Sequence, residues 1–102
     1  MNLYEEVVKV LKKYEKTVND IKFISLKEKS VDINQFLQIA KVTIYDNGFG
    51  LPEIDESLMI VGDDWWLERH SYDGTEWFEF KRLPSIPSEK IEILSKVDLE
   101  SN

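Results

Sequence analysis

The stretch from Gly62 to Leu83, GDDWWLERHSYDGTEWFEFKRL, constrains this chain more than any other part of it. It holds all three tryptophans and the single histidine. Asp73-Gly74 between two apolar-rich runs predicts a β-hairpin, because a two-residue turn with φ > 0 at both central positions suits glycine and tolerates aspartate. That turn dictates a register. Tyr72 faces Thr75, and the pairs continue as His70 with Trp77, Glu68 with Glu79 and Trp66 with Lys81. Side chains alternate along a strand, so these residues share one sheet face. Trp65, Leu67, Arg69, Ser71, Glu76, Phe78, Phe80 and Arg82 share the other. Leu67, Phe78, Phe80 and Trp65 then form an apolar block that must face a core. A three-residue loop would set Glu79 against Leu67 and Glu68 against Phe78, which is the poorer pattern.

The rest of the chain supplies partners for that block. Residues 2–18 predict an amphipathic helix, with Leu3, Val7, Val10, Leu11, Tyr14 and Val18 at helical spacing. Asn2 suits the N-cap and Glu5 the capping-box position, while Lys12, Lys13 and Lys16 suit the negative end of the helix dipole. Residues 21–27, IKFISLK, predict a strand, followed by a polar turn over Lys27–Ser30. A second helix is expected over 32–45, capped by Asp32 with Gln35 at the third helical position. The run KVTIY has strand propensity, but Phe49-Gly50-Leu51-Pro52 is poor material for its partner, so the helix is preferred, with Asn47 or Gly48 as its stop. A loop follows from Phe49 to Glu56. Residues 57–61, SLMIV, add a strand to the hairpin and make a meander over 57–83. After Pro84, Ser85 and Pro87, Ser88 can cap a short C-terminal helix bearing Ile91, Leu94 and Val97, although Lys90-Ile91-Glu92-Ile93 also alternates like a strand. The expected fold is α+β: a three- or four-stranded antiparallel sheet with two helices on the Trp65/Leu67/Phe78/Phe80 face.

The 102 residues suit one domain over 1–97, with 98–102 a fraying tail. There is no cysteine, which removes thiolate chemistry and fits a reducing compartment. No apolar run reaches the length of a spanning helix, and the first residues carry early acids and no leader-like pattern, so a cytoplasmic protein with no membrane partner is expected. The net charge is −7. Between Asp46 and Glu79 ten acids face only Arg69. Such a surface repels phosphate, so direct nucleic-acid binding is not expected.

Tyr45-Asp46-Asn47-Gly48-Phe49-Gly50, Gly62-Asp63-Asp64-Trp65-Trp66-Leu67-Glu68-Arg69 and Tyr72-Asp73-Gly74-Thr75-Glu76-Trp77 carry a resemblance. Residues 45–84 resemble small uncharacterised proteins encoded by phages and prophages of Gram-positive bacteria. The resemblance implies a context of infection or of a resident prophage, and no activity, cofactor or site residue.

Two groups of residues carry candidate chemistry, both on the face predicted to point outward. Glu68, His70 and Glu79 share that face, and two carboxylates with an imidazole can bind a divalent metal or work as an acid/base pair. A flat sheet face is a poor place for catalysis, and a solvated acidic hairpin explains the same residues, so no enzyme, cofactor or metal is expected. Trp66, Tyr72 and Trp77 are the better clue. Tryptophan and tyrosine are the usual anchors of protein interfaces. Unless a helix covers them, they form an aromatic patch rimmed by Glu68, Asp73 and Glu79. The expected function is therefore a non-enzymatic protein-binding module that uses Trp66, His70, Tyr72, Trp77, Glu68 and Glu79 to hold another protein. The alternative is an acidic mimic of nucleic acid that inhibits a host DNA- or RNA-binding protein.

Overall fold

The computed structural model describes residues 1–48 and 50–101. Phe49, which opens the expected loop and belongs to the resemblance, and Asn102, the end of the expected tail, lie outside them. The hairpin has the expected register. β4 (Trp65–Tyr72) and β5 (Thr75–Arg82) pair without a break from Trp65 opposite Arg82 to Tyr72 opposite Thr75. The turn residues Asp73 and Gly74 are both left-handed, at φ 50° and 83°. β3 (Met59–Val61) pairs antiparallel with β4, Ile60 opposite Leu67, and completes the meander.

The sheet has five strands rather than three or four, in the order β2-β1-β3-β4-β5. β1 (Phe23–Leu26) lies inside the expected 21–27 strand and pairs with β3. On its other side it pairs with β2 (Lys29–Val31), which falls partly within the expected polar turn. That turn is only two residues long. Lys27 and Glu28 both take the left-handed conformation, at φ 53° and 63°. Asparagine and glycine normally fill such positions, so the residue types here conceal the hairpin. The turn is tied down from outside by the Lys27 N–H, which donates to Ser57 Oγ at 2.7 Å.

Both main helices start at the predicted caps and stop early. α1 (Leu3–Lys13) begins at Asn2, whose side chain accepts from the Glu5 N–H at 2.9 Å. It ends when Glu15 turns left-handed at φ 61° and the Lys16 N–H reaches back to the Leu11 carbonyl at 2.9 Å. Thr17 then caps a separate 3₁₀ turn, Val18–Asp20, which withdraws Val18 from the expected helix. α2 (Ile33–Lys41) begins at Asp32, which accepts from the Gln35 N–H at 2.8 Å. The expected run to Tyr45 fails because the β-branched residues Thr43 and Ile44 go to a short bridge with the start of the chain. The Leu3 N–H donates to the Thr43 carbonyl at 3.0 Å, and the Tyr45 N–H to the Met1 carbonyl at 2.9 Å. The helix expected from Ser88 does not form over 88–95; a single turn capped at Ser95, α3 (Lys96–Leu99), forms instead and runs into the expected tail. Leu83 makes the last backbone bond to the sheet, to the Asp64 carbonyl at 2.7 Å, and residues 84–101 run on exposed.

The two faces of the sheet sort as the register requires. Ile24, Ile60, Trp65, Leu67 and Phe78 pack with Leu3, Val7 and Leu11 of α1 and Ala40 of α2 in one buried cluster. Phe80 flanks it, stacked between Tyr14 (4.0 Å) and Trp65 (5.6 Å). The Trp65 indole lies directly on Gly62. A Cβ at residue 62 would fall 2.1 Å from the Trp65 ring, closer than any real contact. Gly62→Ala must therefore drive a buried tryptophan off its seat. We expect a loss of about 1–3 kcal/mol, the usual cost of overpacking. Urea unfolding followed by tryptophan fluorescence reads it, and an unchanged midpoint would show that Trp65 sits elsewhere.

Candidate functional site

Every predicted site residue lies where the register put it. Trp66, Glu68 and His70 of β4 and Trp77, Glu79 and Lys81 of β5 share the outer face and are each half-buried. Tyr72 stands at the hairpin tip, 78 % exposed. Among the described residues no helix packs on this face, and the C-terminal segment 84–101 stays exposed.

The opposed pair Glu68 and Glu79 would be destabilising alone, since like charges face each other across the strands. His70 resolves it. Its Nε2 lies 2.6 Å from Glu68 Oε2 and its Nδ1 3.0 Å from Glu79 Oε2. The Trp66 indole N–H donates to the other oxygen of Glu68 at 2.6 Å, and Lys81 Nζ lies 3.6 Å from Glu79. The Trp66 hydrogen bond and then His70 hold the Glu68 carboxyl below the usual carboxylate range. The two ring nitrogens point apart, so the two carboxylates flank the imidazole instead of converging on a common point. Among the described residues no set of three or more histidine, cysteine, aspartate or glutamate side chains is arranged to hold a metal ion.

The sheet widens this face beyond the hairpin. Phe23 of β1 aligns with Val61, and Val61 with Trp66. Met59 of β3 aligns with Glu68. Phe23 is 51 % exposed, and Met59 and Val61 are half-buried. An apolar band therefore crosses from β1 to Trp66 and meets the ionic row at Glu68. Sequence reasoning missed it because it had no register for residues 21–27 and no reason to aim Phe23 outward.

A second polar group was missed altogether, on the inner face. Arg69 points into the core, its side chain 1 % exposed. Its Nη2 donates to Glu76 Oε1 at 2.7 Å and to the Tyr45 hydroxyl at 3.2 Å, and its Nη1 to the Glu6 carboxylate at 3.3 Å. Its plane lies 4.5 Å above the Phe78 ring. The Tyr45 hydroxyl donates to Glu6 at 2.5 Å. Glu76 in turn accepts from the N–H groups of Glu53 (2.7 Å) and Ile54 (3.1 Å), which anchors the 53–54 loop to the sheet. Burial alone would raise the Glu76 carboxyl; the two backbone N–H groups and Arg69 outweigh it and hold the carboxyl below its usual range. Burial, and then the hydrogen bond to Glu6, push the Tyr45 phenol well above its ordinary value. The network joins α1, β4, β5 and the chain after α2 in one charged knot. It is closed to solvent, and the Arg69 Nε is buried with no hydrogen-bond partner among the described residues. The signal for it was present: Arg69 and Glu76 have inward parity, and Glu6 lies on the Leu3–Val7–Val10 stripe.

Comparison with protein-family models, with curated proteins and with solved structures finds no match to this chain. Among the described residues no helix is long and apolar enough to cross a membrane.

Proposed function

We propose that this protein is a non-enzymatic protein-binding module and that its partner docks on the outer face of the sheet, over Trp66, His70, Tyr72 and Trp77 with Glu68 and Glu79 at their side. One observation carries the reading: among the described residues none forms a layer over the face on which the aromatic residues stand, while the polar groups between them are already tied to one another. Side chains held this way lose little freedom on binding, which favours affinity. Phe23, Met59 and Val61 extend the patch, and large uncovered apolar patches on small domains mark interaction sites. The likeness of residues 45–84 to phage and prophage proteins suits a partner from a host cell.

The acidic-mimic alternative draws less support. Of the acids between Asp46 and Glu79, Glu76 is committed to Arg69, Glu68 and Glu79 to His70, Glu53 to the Asp46 N–H, and Asp55 to Ser57. A surface that imitates phosphates needs its charges free.

The test is affinity capture from a host lysate, with the captured partner then titrated against variants. Trp66→Ala, Tyr72→Ala and Trp77→Ala should each weaken binding by about 2 kcal/mol, roughly thirtyfold, with the urea midpoint shifted far less than by core truncation. Binding that survives all three sinks the reading. Binding that instead collapses with salt, yields to competing DNA and is lost when Asp55, Glu56, Asp63 and Asp64 are neutralised would establish the mimic.

A further inference from the structure

We infer that β5 is a dimerisation edge and that a second copy of this chain pairs with it antiparallel, Phe80 opposite Phe80, to join the two sheets. This interface is built on the backbone edge of β5 and shares only the Glu79 end of the outer face with the partner site proposed above.

Among the described residues the edge is long, regular and, beyond Glu76, open. β5 is the last strand of the sheet, and its pairing with β4 runs from Thr75 to Arg82 with no bulge and no proline. Natural edge strands are usually shortened, bulged or covered, because a bare edge is a template for another strand. Two bonds show which residues turn their backbone groups outward. The Glu76 N–H points away from β4 and donates to the Asn47 carbonyl at 3.0 Å, while the Leu83 N–H points the other way, to Asp64 on the β4 side. The period of two then turns the N–H and carbonyl of Phe78, Phe80 and Arg82 outward. A shallow groove lined by Val10, Lys13 and Tyr14 of α1 and by Trp77, Phe78, Glu79 and Phe80 follows this edge. Its lining alternates between inward and outward side chains, so it straddles the strand edge itself.

Both ends of the available window are marked. At Glu76 the outward N–H is already taken by Asn47. After Leu83 comes Pro84, which has no N–H to give. The free stretch is therefore Trp77 to Leu83, and its midpoint is Phe80. A two-fold axis through Phe80 lets the whole window of one copy pair with the whole window of the other, as an isologous interface requires.

Charge selects the same register. With Phe80 on the axis, Glu79 of each copy lies opposite Lys81 of the other, and Phe78 lies opposite Arg82. Opposite charges directly across antiparallel strands stabilise the pair. Moving the axis to Glu79 sets glutamate against glutamate. Moving it to Lys81 sets lysine against lysine. An axis between two residues would bring outward backbone groups against inward ones. One register satisfies hydrogen bonding, window and charge together. The second copy is the occupant that fits, because only a strand with the same glutamate–lysine spacing, run in reverse, answers both charges.

Sedimentation of the full chain over a range of roughly 1–500 μM tests the proposal, since mass action exposes a dimer as a concentration-dependent mass. The expected result is a dimer at the upper end. Lys81→Glu opposes two acids twice across the axis and should raise the dissociation constant by about tenfold or more. Glu79→Lys should do the same. The double variant E79K/K81E restores opposite pairing and should recover the dimer, a rescue that a merely misfolded single variant could not produce. Amide hydrogen exchange gives a second reading: Phe78, Phe80 and Arg82 should become protected as concentration rises, while Glu76 should not change. A monomer throughout the range, a dimer indifferent to Lys81→Glu, or a double variant no better than the singles overturns the proposal. The Trp66→Ala and Tyr72→Ala variants should dimerise normally, which separates this interface from the outer-face partner site.

Discussion

Replacing Arg69 with alanine should remove about 3–5 kcal/mol of folding stability at neutral pH, the penalty for leaving buried charges without their counter-ion. Arg69 is the cation between the Glu6 and Glu76 carboxylates, and all three side chains are shut away from water. Truncation leaves two carboxylates facing the Tyr45 hydroxyl and the Phe78 ring. The effect has a signature in pH. In the native protein the Glu76 carboxyl is held below its usual range, so its contribution is fully present above the unfolded carboxylate value and is lost as pH falls through the lower folded value. In Arg69→Ala the two backbone N–H groups still oppose burial, but the guanidinium's share is gone, so the Glu76 carboxyl moves back up from its depressed position. The deficit of the variant should then narrow as pH falls below about 5, near the ordinary range of a glutamate. The raised Tyr45 phenol acts at the other end: its contribution is present below the unfolded value of about 10 and is lost as pH climbs past it. Urea midpoints of both proteins from acid to alkaline pH measure all three effects. A loss at neutral pH under about 1 kcal/mol would mean that water enters the knot and screens it.

That network marks the boundary of what the residues disclose. The hairpin was legible in full because Asp73-Gly74 admits one turn and a side-chain period of two leaves no freedom after it. The helix starts were legible because Asn2 and Asp32 are caps with a local mechanism. The helix ends were not. Glu15 takes a left-handed backbone that nothing in its chemistry advertises, and Ile44 leaves a good helical pattern to pair with Asn2, a contact between residues far apart in the chain. β2 was hidden for the same reason as the end of α1: Lys27 and Glu28 occupy turn positions that glycine and asparagine normally announce. Arg69 and Glu76 were assigned the correct face, yet a charge on a core face reads as an exception to be exposed at an edge. Only the arrival of Glu6 from α1 and of the N–H groups of Glu53 and Ile54 turns the exception into a closed network. On the outer face, parity alone brought Glu68, His70, Glu79, Trp66 and Trp77 together. The bridging of both carboxylates by one imidazole depends on side-chain reach, which parity does not report.

Two adjacent residues of β5 put the face assignment to its sharpest test. Phe78 is 5 % exposed, sits in the core cluster and lies under the Arg69 guanidinium. Phe78→Ala removes a full aromatic ring from that packing and uncovers one side of a buried cation. We expect a loss of about 3–5 kcal/mol. Trp77, one residue earlier, points to the opposite face, where it is half-buried beside His70 with their rings 6.3 Å apart. Trp77→Ala removes a larger side chain but leaves its place to solvent, so the cost should be about 1 kcal/mol. Volume alone would rank the two the other way, which is why the comparison discriminates. Guanidinium unfolding of both variants, with the slope checked for a constant exposed area, gives the ranking. Should Trp77 prove the costlier, some part of the chain covers the outer face in solution. The exposed segment 84–101, with Ile86, Ile91, Ile93 and Leu94 unburied, is the part with apolar surface to do it. Deleting that segment would then bring the cost of Trp77→Ala back down, and the aromatic face would be a self-contact that any partner must first displace.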